Sequence, residues 1–154
     1  MIKNNFFVII CFLILNSCGY QITNLQTDFN INSIVTEGDK RINFKIKNKL
    51  LSTNSSSNKN FVTITLNSKK NKVIKEKNIS NQITKYEITI ISIISFETLD
   101  DNSKGSFSIT KKGDFSVSKK YSDTLINEKN LLNSLVIDLV EEIQESLATA
   151  LNDS

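Results

Sequence analysis

The sequence predicts an α+β protein, a two-layer sandwich whose mainly antiparallel sheet carries two helices packed on one face. Two patterns predict it. Residues 61–68, 86–98 and 106–121 alternate apolar and polar side chains at the period of two that a strand imposes, and residues 128–151 repeat apolar side chains at the period of an α-helix. A short β-branched segment and a second helical segment precede them. The order is therefore strand, helix, three strands, long helix.

Residues 30–35 (Asn-Ile-Asn-Ser-Ile-Val) are short and β-branched, which predicts a first strand. In residues 38–51, Ile42, Ile46 and Leu50 fall at i, i+4 and i+8 and would share a helical face, while Ile42, Phe44 and Ile46 also alternate as a strand would. Both readings stand on these residues, and helix is the one adopted. Residues 52–60 (Ser-Thr-Asn-Ser-Ser-Ser-Asn-Lys-Asn) form a low-complexity polar loop with nothing to bury.

Val62, Ile64 and Leu66 face one way and Thr63 and Thr65 the other, a half-buried strand that Val73 and Ile74 would extend. In residues 86–98, Tyr86, Ile88, Ile90, Ile94 and Phe96 share a face, but Ile91 and Ile93 occupy the opposite one. That predicts a central strand covered on much of both faces. Residues 99–105 make a turn, and residues 106–121 return with Phe107, Ile109, Phe115 and Val117. Lys111-Lys112-Gly113-Asp114 in their midst is expected to be a bulge or tight turn.

The final helix is predicted over residues 128–151. Leu132, Leu135, Val136, Leu139, Val140, Ile143, Leu147, Ala150 and Leu151 trace a wide apolar stripe, with Asp138, Glu141, Glu142, Glu145 and Asn152 outside it. A helix lying on a membrane carries a basic polar face. This one is acidic, so its stripe is assigned to the core.

The N-terminus predicts export. Lys3 supplies a positive n-region, residues 6–15 (Phe-Phe-Val-Ile-Ile-Cys-Phe-Leu-Ile-Leu) an apolar h-region, and Leu15-Asn16-Ser17-Cys18 a small residue before a cysteine. The apolar run ends at Asn16, short of the roughly 20 residues needed to span a bilayer. Leu at −3, Ser at −1 and Cys at +1 resemble the lipobox of bacterial lipoproteins, with Asn16 as the departure. The alternative is an ordinary cleaved signal with an incidental cysteine. Cys11 would leave with the signal, so the mature chain keeps one cysteine, at the position where a diacylglyceryl thioether is attached. The expected organisation is a cleaved signal in residues 1–17, a tether in residues 18–29 lipidated at Cys18, and one domain in residues 30–154. Gly19, in place of the Asp that retains lipoproteins in the inner membrane of enteric-like bacteria, points to the outer membrane.

Composition narrows the chemistry. Removing Lys3 leaves 18 basic against 16 acidic residues, a net charge of +2 that gives no reason to expect nucleic acid. There is no His for a base or zinc ligand, the one mature cysteine would be blocked by lipid, and four glycines hold no phosphate-cradling loop. Asp100-Asp101 lies in a turn and Glu141-Glu142 on the polar side of a helix, where solvated surface is the ordinary role. No enzyme, cofactor or metal site is expected.

Cys18-Gly19-Tyr20-Gln21 directly after a lipobox, followed by this element order, resembles the LptE family, lipoprotein partners of the lipopolysaccharide-assembly barrel LptD. The matching pieces are Asp39-Lys40-Arg41 leading into a first helix at residues 44–51, and Gln82-Ile83-Thr84-Lys85-Tyr86 opening the long strand. Phe115-Ser116-Val117 and Tyr121-Ser122-Asp123 then precede the final helix. The family's usual proline after the anchor is missing, and the polar loop at 52–60 is long. The resemblance implies a plug and assembly factor that sits within the barrel on the periplasmic side of the outer membrane and helps pass lipopolysaccharide to the outer leaflet. It also implies basic contacts for lipid phosphates near the sheet's turn end. Lys77, Lys85, Lys111, Lys112, Lys119 and Lys120 are the candidates, with Lys77, Lys111 and Lys112 preferred. The alternative is a generic periplasmic lipoprotein that binds a protein or peptide partner by strand addition.

Overall fold

The computed structural model describes residues 29–53, 61–100 and 102–152. The signal segment, Cys18 and most of the polar loop lie outside the described residues. Within them the chain forms β1 (Asn30–Gly38), α1 (Lys40–Ser52), β2 (Phe61–Lys77), β3 (Ile83–Thr98), β4 (Lys104–Ser116) and α2 (Tyr121–Asn152). This is the predicted order, and the fold is α+β. The sheet runs β1-β2-β3-β4. β1 pairs parallel to β2, which requires a crossover between them, and α1 supplies it. The β2–β3 and β3–β4 pairs are antiparallel, joined by short turns.

The passage from β1 into α1 has a local cause. Gly38 sits at φ +82°, and a Cβ there would strike the Ser68 carbonyl. The next amide, Asp39 N, donates to that same carbonyl at 2.7 Å. The Asp39 carboxylate then accepts from the amides of Arg41 (3.0 Å) and Ile42 (3.1 Å), capping α1. Of the two periodicities in residues 38–51, the helical one wins: Ile42, Ile46 and Leu50 are buried together, and Phe44 points to solvent.

The core lies between the sheet and the two helices. Ile42, Ile46 and Leu50 of α1 and Leu139, Ile143 and Leu147 of α2 cover Val62, Ile64 and Leu66 of β2 and Ile88, Ile90 and Ile94 of β3. Ser68 and Ser92 are buried inside it and satisfy each other at 2.8 Å, so neither hydroxyl carries an unmet desolvation cost.

Three expectations are corrected. β3 is central but covered on one face only: both helices use their apolar stripes on the same side of the sheet, leaving Ile91 and Ile93 41% and 47% exposed on the other. Lys111-Lys112-Gly113-Asp114 is neither bulge nor turn. β4 runs through it in unbroken register, Ile90 opposite Lys111, Thr89 opposite Lys112 and Ile88 opposite Gly113. Gly113 is there because α2 passes so close that a Cβ would come within 2.7 Å of Leu131 Cδ1. Finally, α2 begins at Tyr121, seven residues before the predicted start at 128, after a turn in which Thr124 Oγ1 accepts from Ser118 N at 2.9 Å.

Candidate functional site

Chemistry-bearing side chains concentrate at one end of the sheet, where β2 turns into β3 and β4 leaves for α2. The β2–β3 turn is built by Asn78, whose Oδ1 accepts from the amides of Ser80 (3.0 Å) and Gln82 (2.9 Å), and by Asn81 in the left-handed region at φ 62°. Val117 N donates to Thr84 O at 2.9 Å, so the chain leaving β4 stays at this end. Lys119, Lys120 and the first turn of α2 follow.

The lysines here fall into two groups. Some are neutralised. Lys75 bonds the Asp114 carboxylate and lies 3.6 Å from that of Glu87, and Lys85 meets Glu76 at 2.9 Å. The hydrogen bond that Lys75 donates to Asp114 raises its pKa, with the charges of Asp114 and Glu87 adding to the effect. Lys72 reaches Glu128 of α2 at 2.6 Å. Its ammonium also lies over the rings of Tyr86 (4.4 Å) and Phe115 (4.8 Å), which stack at 5.5 Å. Lys77, Lys119 and Lys120 are different. All three are exposed, and no ion pair among the described residues involves them; Lys77 donates only to the neutral Asn81 Oδ1, at 3.0 Å.

Apolar surface accompanies these free cations. Ile79 stands fully exposed at the tip of the turn, and Val117, Tyr121 and Leu125 are exposed beside a cleft of about 500 Å³ that Lys72, Tyr86, Lys119 and Glu128 also line. Free ammonium groups next to exposed apolar side chains match an amphiphile with anionic head and apolar tail.

The structure therefore gathers Lys77, Lys85, Lys119 and Lys120 at the turn end, with Lys85 already paired. It does not gather Lys77, Lys111 and Lys112. Lys111 and Lys112 lie five and four residues before the end of β4, about 17 and 13 Å along the strand. Lys111 faces the helices and pairs with Glu142 of α2, while Lys112 stands on the open face. Sequence reasoning missed Ile79, Tyr121 and the Lys72–Tyr86–Phe115 stack. A lone isoleucine inside Lys-Asn-Ile-Ser-Asn was the one available signal.

No family model and no curated protein matches the sequence. Solved structures do match. Rare lipoprotein B from Shewanella oneidensis superposes with a TM-score of 0.59 at 12% identity, over 79% of this chain and 98% of that one. This fold is one that lipoproteins use. A chain from Caulobacter crescentus, assigned as a lipoprotein, gives a TM-score of 0.60 at 12% identity over 85% of this chain and 97% of its own. Lipoprotein B from Nitrosomonas europaea gives 0.50 at 13% over 82% and 89%. At such identities the likeness is one of fold.

Proposed function

We propose that this chain is a lipoprotein anchored through Cys18 to the periplasmic side of the outer membrane, acting as plug and assembly partner of the LptD barrel in lipopolysaccharide transport. It works by binding and not by catalysis. The observation that carries the reading is the turn end, where the unpaired ammonium groups of Lys77, Lys119 and Lys120 stand with exposed Ile79 and Tyr121. Phosphates of a polyanionic lipid meet the first group and its acyl chains the second. The lipobox before Cys18 and a fold shared with lipoproteins support the anchor. A lipid anchor also confines the search for a membrane partner to two dimensions. A compact domain with a polar surface suits the water-lined interior of a barrel.

A second reading has an observation of its own. β4 is a 13-residue edge strand with no proline and no break in its register, the kind of edge to which an extended peptide adds. Crosslinking in the native membrane, followed by identification of the partner, separates the two. A specific outer-membrane β-barrel is the expected product; a soluble partner alone would replace the plug with the peptide binder.

A further inference from the structure

The outer side of α1 has chemistry that the turn-end site does not use. The helix carries Lys40, Arg41, Lys45, Lys47 and Lys49 and no acidic residue, and none of its cations joins an ion pair among the described residues. Lys45 and Lys47 bond only neutral oxygens, Asn133 Oδ1 at 2.7 Å and Ile34 O at 3.2 Å. Buried Ile42, Asn43, Ile46 and Leu50 take the inner side. On the outer side Phe44 is 65% exposed and Leu51 43%; at 100° per residue these two lie within about 20° of one another around the axis, two turns apart. By the same spacing Lys40 and Lys47 flank this ridge on one side and Arg41 and Lys45 on the other. Ile137 of α2, 42% exposed, continues the apolar strip across a groove of about 470 Å³ between the helices.

We infer that the outer face of α1 is a docking surface for an anionic phospholipid bilayer. Cations alternating around a ridge of Phe and Leu are what an interfacial helix uses: the ammonium and guanidinium groups reach lipid phosphates while the ridge sits among the upper acyl carbons. Charge complementarity selects this occupant, because a five-cation helix without a carboxylate gains from every anionic headgroup near it. The placement is apt. Residues 19–28, between the proposed lipid on Cys18 and the described residues that begin at Phe29, allow a separation of at most about 40 Å, so the domain stays within reach of a leaflet. Docking rests on the anchored-lipoprotein part of the reading above and not on lipopolysaccharide handling. It describes the protein while no barrel encloses it.

The chain has no tryptophan, so one substitution supplies a single reporter. The mature chain from residue 18, carrying Cys18→Ser so that no lipid anchors it, is made as Phe44→Trp, Ile93→Trp or Ile79→Trp. Each is mixed with vesicles of phosphatidylglycerol and phosphatidylcholine, or of phosphatidylcholine alone, whose acyl chains carry bromine to quench nearby indoles. Indole emission at position 44 should shift blue and be quenched in the anionic vesicles and not in the neutral ones, while position 93, on the opposite face of the sheet, stays unquenched. Adding Lys40→Gln and Arg41→Gln should weaken partitioning roughly thirtyfold, at about fivefold per cation held near an anionic leaflet. An unquenched reporter at 44, quenching at 44 that is equal in neutral vesicles, or stronger quenching at 79 or 93 would overturn the inference. Because no anchor is present, none of these results depends on whether Cys18 is lipidated in the cell.

Discussion

Gly113 of β4 lies directly beneath Leu131 of α2: a Cβ built on the glycine would come within 2.7 Å of Leu131 Cδ1 and 3.5 Å of Leu135 Cδ2. The contact lets the longest helix settle onto an edge strand, and it explains a glycine in the middle of an otherwise regular ladder. Gly113→Val should therefore destabilise the domain by about 1–3 kcal/mol, the usual cost of forcing extra carbon into a packed interface, despite valine's preference for strands. Urea denaturation checks this. A variant as stable as the parent would mean that α2 does not press on β4 here.

Leu139 and Ile143 of α2 are fully buried against the sheet. Leu139→Ala should cost about 2–5 kcal/mol, combining lost transfer energy with an unfilled cavity. Glu142, one residue away, pairs with Lys111 at the surface, so Glu142→Ala should shift stability by no more than about 1 kcal/mol. Equal melting temperatures for the two variants would contradict the packing described.

Much of this fold was legible because burial imposes period on sequence. Ile88, Ile90, Ile94 and Phe96 mark the inner face of β3, and the stripe from Leu132 to Leu151 marks the inner face of α2. Where burial stops, so does the signal. Residues 121–127 extend α2 beyond the predicted 128–151, with Leu125 and Ile126 exposed, and residues 75–77 extend β2 past the expected Val73 and Ile74 with side chains in solvent. Gly113 was misread for a different reason: a glycine required by an approaching helix and one required by a turn look alike in one sequence. At the candidate site, Lys77, Lys119 and Lys120 were visible as lysines, but their freedom from carboxylates is a three-dimensional property. So is the capture of Lys111 by Glu142, 31 positions along the chain.

The anchor makes its own prediction. Cys18→Ser removes the sulfur that would carry the diacylglyceryl group, so lipid labelling should vanish and signal cleavage should stop, leaving a precursor of slower mobility. Labelling with radioactive fatty acid and gel mobility read both effects. Unchanged mobility with retained label would show that Cys18 is not the modified residue.

The claim that the turn end receives a polyanionic lipid is tested most directly by lipopolysaccharide affinity in two variants, measured across salt concentrations. Replacing Lys77, Lys119 and Lys120 together with Gln removes three exposed, unpaired charges and should leave the fold intact, since surface substitutions of this kind are usually worth less than about 0.5 kcal/mol each. Replacing Lys111 and Lys112 removes one charge already paired with Glu142 and one on the open face. Parental binding should weaken as salt rises, because mobile ions screen exposed charges over about 8–10 Å. The Lys77/Lys119/Lys120 variant should bind at least tenfold more weakly, with a flatter salt dependence, and the Lys111/Lys112 variant should bind nearly as the parent does. Parental affinity and salt dependence in the first variant, or a larger loss in the second, would contradict the account.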